Sequence, residues 1–133
     1  MAYFAKSMMF SAGLVAAVLL SGTAPALAAE QGESDEGEFV FADNCEICHS
    51  ANQGGPHKVG PNLFGVVGRV SGMAAGYTYS PAMKAASITW GANTLRQYLE
   101  GPAAMVPGTK MGFPGFSNPE DEANLIAYLA TLK

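Results

Sequence analysis

A nearly continuous apolar block runs from Met8 to Leu20, broken only at Ser11 and Gly13 and followed by Ser21, Gly22 and Pro25. Beyond it the pattern changes. No long stretch alternates apolar and polar residues as a half-buried strand would, and no segment repeats, so helices joined by Gly and Pro loops are expected. A first helix is predicted from Ser34 or Asp35 to about Cys48, with Phe41, Asn44, Cys45 and Cys48 sharing a face. Ser80 to Lys84 can open a short turn, since Pro81 suits a first helical position. Leu95, Tyr98 and Leu99 mark a helix between Gly91 and Glu100, stopped by Gly101-Pro102. The last helix has the clearest start: Asn118 can cap, Pro119 leads, Glu120 and Asp121 sit at the positive end, and Leu125, Tyr128, Leu129 and Leu132 line one side to the C-terminus. From Gly54 to Gly76 the chain reads as an extended loop, and so long a loop asks for a functional reason.

The apolar block follows Lys6 and ends before Ala26-Leu27-Ala28, the three-part layout of a secretory signal peptide. Cleavage is expected after Ala28 or Ala29, giving a leader over residues 1–29. A retained membrane anchor is the competing reading, although crossing a bilayer takes about 20 apolar residues. An acidic lead-in is expected over residues 30–37 and one domain over 38–133, because a chain of 133 residues that is 49% hydrophobic supports a single core. The net charge of −4 argues against nucleic acid as a partner.

The two cysteines of the chain fall in Cys45-Glu46-Ile47-Cys48-His49. That pattern is the attachment site of a c-type haem. Its spacing suits the chemistry: two thiols add to two vinyl groups on one edge of a flat macrocycle while an imidazole reaches the iron from one face, and residues at i, i+3 and i+4 of a helical turn project together. Three other readings compete. A redox dithiol lacks the expected βαβ surroundings, a structural disulfide leaves His49 unused, and zinc wants four ligands where His57 is the only further histidine. A second axial ligand should come from a distant loop, and Met111 is the best placed, inside Pro107-Gly108-Thr109-Lys110-Met111-Gly112-Phe113-Pro114-Gly115. Met73, Met83 and Met105 are rivals, since methionines commonly fill cores.

From Phe41 to Leu132 the chain resembles the class I c-type cytochromes, specifically the mitochondrial cytochrome c and bacterial cytochrome c2 group. The resemblance is carried in order by the haem motif, Gly60-Pro61-Asn62-Leu63, Gly68-Arg69, Gly76-Tyr77-Thr78-Tyr79-Ser80, Ile88-Thr89-Trp90-Gly91, Tyr98-Leu99-Glu100, Pro107 to Met111 and Leu125-Ile126-Ala127-Tyr128-Leu129. It implies an all-α, small single-haem class I fold wrapped around one haem c bound through Cys45 and Cys48, with iron ligated by His49 and Met111. It further implies that the Pro61 carbonyl orients His49, that Arg69, Tyr79 and Trp90 meet the haem propionates, and that Tyr98 and Thr109 lie beside the methionine. Gly37, Phe41, Leu125 and Tyr128 match the family's crossing of first and last helices. Met83 departs from the Asn common in mitochondrial relatives, and lysines are sparse.

The function so implied is that of a soluble periplasmic one-electron carrier. It is monomeric, acts on no small-molecule substrate, and works between respiratory or photosynthetic partners: a membrane cytochrome complex, a terminal oxidase or a reaction centre. Nothing in the chain suggests enzyme chemistry beyond electron transfer, because filled axial positions leave no open site. N-terminal sequencing of purified protein is expected to start at Ala29 or Glu30, with an intact mass one haem above the polypeptide. A start at Met1 would show that the leader is kept.

Overall fold

The computed structural model describes residues 32–133; the expected leader 1–29 lies outside them. Five helices follow in order: α1 Ser34–Asn44, α2 Pro81–Ala85, α3 Ala92–Glu100, α4 Pro102–Met105 and α5 Pro119–Thr131. Among the described residues there is no sheet, only an antiparallel bridge between Val70 and Thr89. None of the described helices is long and apolar enough to cross a membrane.

α2 and α5 start where a short polar side chain satisfies a free N–H group. Ser80 Oγ accepts from Met83 N at 3.1 Å, and Asn118 Oδ1 from Glu120 N at 3.1 Å, each followed by Pro at the first helical position. Thr94 Oγ1 accepts from Gly91 N at 2.8 Å and donates to Thr89 O at 2.9 Å, fixing the entry to α3.

α1 packs across α5. The Glu33 N–H donates to Asn124 Oδ1 at 2.7 Å, and the Phe41 and Tyr128 rings meet at 5.5 Å between centroids. A Cβ on Gly37 would fall on the Asn124 carbonyl, so only glycine lets the two backbones approach this closely. Behind the crossing, Phe41, Leu95, Leu99, Leu125, Ile126 and Leu129 form the buried core. Each contributes about 2 kcal/mol of burial.

α1 starts at Ser34, as expected, and so takes in the later part of the acidic segment 30–37, with Gly37 buried against α5. Two boundaries differ from the sequence reading. α1 ends at Asn44 instead of running to Cys48: both Cys45 N and Glu46 N donate to Phe41 O, at 2.8 and 3.0 Å, and this widened turn ends the regular helix. Gly101-Pro102 stops α3 as expected but also restarts the chain as α4, Pro102 serving as its first residue.

The long loop between α1 and α2 is ordered by bonds to other parts of the chain. Gly65 N donates to Leu132 O at 2.7 Å, Gly68 N to Trp90 O at 2.7 Å and Ser71 N to Ile88 O at 2.7 Å. Buried Asn62 holds its near end, donating through Nδ2 to Asn52 O and Gly55 O, both at 2.9 Å, and accepting from Phe64 N at 2.6 Å. These bonds satisfy backbone polar groups of the loop without regular structure. Gly37→Ala is expected to destabilise the protein by ~1–3 kcal/mol through overpacking against α5, measured as a lowered midpoint of denaturant unfolding.

Candidate functional site

The turn that ends α1 carries the motif. Cys48 N and His49 N both donate to Cys45 O, at 3.0 and 2.8 Å, which keeps Cys45, Cys48 and His49 on one side of the chain. All three line a cavity of about 590 Å³, inside the range of roughly 300–1,000 Å³ typical of cofactor sites. Neither cysteine is disulfide-bonded. Burial, with help from the neighbouring Cys48, pushes the Cys45 thiol up to about 11.

His49 is held by one strong bond, 2.7 Å from Nδ1 to Pro61 O. A carbonyl only accepts, so Nδ1 carries the proton and Nε2 keeps its lone pair. Burial lowers the pKa of this imidazole, the bond to Pro61 opposes the shift, and the charge of Lys58 adds to it. The neutral ring is the form that binds a metal. Gly60 completes the seat, since a Cβ there would strike the His49 ring. Lys58 Nζ crosses the motif to donate to Glu46 O at 2.6 Å.

The remaining sequence candidates come to the same cavity from far along the chain: Pro61, Arg69, Tyr79, Trp90, Tyr98, Thr109 and Met111 all line it. Arg69 is fixed by its guanidinium donating to Asn62 O at 3.1 Å and Phe64 O at 3.3 Å. Tyr79 Oη accepts from Ala74 N at 3.4 Å, which leaves its own hydrogen available. Burial raises the pKa of both Tyr79 and Tyr98, so each stays a neutral phenol. Thr109 Oγ1 lies 3.0 Å from Tyr98 Oη and accepts from Met111 N at 3.3 Å. Lys110, beside the methionine, donates to Thr78 O at 2.8 Å and so ties the Met111 loop to the segment before α2.

The rival uses of the motif fare worse. His57 accepts from Asn62 N at 2.9 Å through Nδ1 and contacts Ala75 O at 2.8 Å through Nε2, so both its nitrogens are engaged. Among the described residues, no cluster of three or more His, Cys, Asp or Glu is placed to hold a metal ion. Of the other methionines, Met83 is buried on the cavity wall whereas Met73 is exposed and Met105 lies outside the lining. Sequence reasoning missed two supports, the Gly60 seat and the Asn62 hub. Both sit in the quoted Gly60-Pro61-Asn62-Leu63 run, and only the folded loop gives them a role.

The donor set fits a covalently attached haem. Two thiols and an imidazole lone pair stand on a helical turn, a thioether reaches the cavity from a separate loop, and Leu63, Val66, Leu95, Leu99 and Leu129 supply apolar walls. Arg69 and the unused Tyr79 hydrogen suit carboxylates.

Comparison with known proteins agrees. The family model described as Cytochrome c matches residues 34–133. Cytochrome c from Chlamydomonas reinhardtii is 52% identical over 101 residues, covering 76% of this chain and 90% of that protein. Cytochrome c from Gossypium barbadense is 50% identical over 101 residues, 76% of this chain and 91% of its own. Cytochrome c2 from Rhodopila globiformis is 48% identical over 105 residues, 79% of this chain and 98% of its own.

Gly60→Ala is expected to displace the His49 ring and destabilise the protein by ~1–3 kcal/mol. Denaturant unfolding checks the size of the loss, and proton resonances of the imidazole check its displacement.

Proposed function

We propose that this chain, which belongs to the cytochrome c family, is an exported one-electron carrier whose haem iron is held between His49 and Met111. The family binds haem c covalently, and the two cysteines here have the required spacing. Its members carry electrons between redox proteins. When bound, haem c supplies an iron that changes oxidation state by one electron.

The chain's own residues bind and tune. Cys45 and Cys48 provide the thioether attachments, and His49, with Nδ1 committed to Pro61, offers Nε2 as one axial ligand. Met111 offers sulfur as the other, with the Tyr98–Thr109 hydroxyl pair beside it. A thioether opposite an imidazole favours ferrous iron and raises the potential. Arg69, Tyr79 and Trp90 line the cavity where they can balance propionate charge. Apolar walls line the cavity, and His49 and Met111, if both held the iron, would leave it no open position for a substrate.

The single observation that carries this reading is that an imidazole with a defined free nitrogen and the Met111 thioether, 62 positions apart in sequence, line one cavity with both motif cysteines. The layout of residues 1–29 supports export and a periplasmic location. Partners there would be a membrane cytochrome complex, a terminal oxidase or a reaction centre. Cations are few, and the ammonium groups of Lys58 and Lys110 are already bonded to backbone carbonyls. Docking therefore leans little on a lysine ring.

Met111→Ala is expected to abolish the weak long-wavelength sulfur-to-iron absorption band of the ferric protein and to let the ferrous form bind carbon monoxide. Avid carbon monoxide binding by the unaltered protein would overturn His49/Met111 ligation.

A further inference from the structure

Glu122, in the first turn of α5, is only 4% exposed, and its Oε1 is sealed from solvent with no hydrogen-bond partner among the described residues. Burying an ionised carboxylate without a partner is costly. The charged groups acting on it both belong to α3: Glu100 opposes its ionisation and Arg96 favours it. No charged group of α1 or of the Met111 loop is among them. The positive end of α5 also favours the ionised form. Burial is nevertheless the largest influence, and it raises the pKa of this carboxyl.

The place of this carboxyl gives it leverage. Glu100 is the last residue of α3, where the helix's own carbonyls concentrate negative charge. The far end of the Met111 loop is pinned at the same spot: Phe116 N donates to Leu99 O at 3.0 Å, and Gly115 rests so close to the Glu100 carbonyl that a Cβ would overlap it.

We propose that Glu122 is a proton-operated latch: protonated, it seals the α3–α5 junction, and ionised, it opposes Glu100 and loosens the anchorage of the Met111 loop. The sign follows from proton linkage. A carboxyl that binds its proton more tightly in the folded chain than in the unfolded one, where it titrates near about 4.3, makes stability fall as pH rises from that value through the folded pKa.

The test is urea unfolding of the haem-loaded protein at several pH values from about 5 to about 8, comparing the unaltered chain with Glu122→Gln and Glu100→Gln. Urea leaves ionic strength low, so charge effects are not screened. Glu122→Gln is expected to gain on the unaltered protein as pH rises, with its midpoint the higher of the two at the alkaline end. Glu100→Gln should reproduce part of that gain. A Glu122→Gln midpoint that tracks or falls below the unaltered one at every pH overturns the latch. Should that variant not fold, carbon-13 resonances of the carboxyls in the unaltered protein decide the matter: a Glu122 carboxyl that titrates with the ordinary Glu side chains sinks the idea, and one that titrates above them upholds it. The coupling to the loop rests on Met111 as ligand. It is read separately, because the unfolding contrast does not depend on what binds the iron, whereas a sulfur-to-iron band absent at every pH would refute only the ligation.

Discussion

The approach of α1 to α5 at Gly37 is the constraint on which the rest of this molecule depends. With hydrogen in place of a side chain, the first helix settles onto the Asn124 carbonyl and brings Phe41 against Tyr128 and the core. The haem motif begins at the residue after α1, so the angle of that crossing fixes where Cys45, Cys48 and His49 stand. A methyl group at position 37 would move the helix and the motif together.

Everything on the other side of the cavity reaches it through loops, and loops hold a site only if their polar groups are satisfied. Asn62 takes up two carbonyls and one N–H, which lets Pro61 present its own carbonyl to His49. The Met111 loop is tied at both ends, by Lys110 to Thr78 and by Phe116 to Leu99. Cavity walls and ligands are thus positioned by hydrogen bonds to distant backbone, and a site built this way is stiff without being helical.

Charge is distributed unevenly along this framework. Between Glu46 and Glu100 the chain has no carboxylate, while Lys58, Arg69, Lys84 and Arg96 fall in that stretch. The acidic residues gather on α1, at the end of α3 and at the start of α5. At the α3–α5 contact burial is the largest influence on the Glu122 carboxyl, with Glu100 adding to it and Arg96 opposing it, while Arg69 and Lys110 on the cavity wall are cations suited to a carboxylate-bearing cofactor.

The sequence by itself determined the covalent chemistry and most of the helices. Cysteine spacing with an adjacent histidine is a local property of one turn, and so are the caps at Ser80 and Asn118, so both can be read without knowing what lies nearby. It did not determine that α1 would end at Asn44 in a turn closed on the Phe41 carbonyl, or that α4 would follow Gly101. The same holds for the Gly60 seat beneath His49, the choice of Met83 over Met73 and Met105 as the second thioether on the cavity wall, and the burial of Glu122. Local bonding is written in adjacent residues. Close approach and desolvation exist only once the chain has folded back on itself.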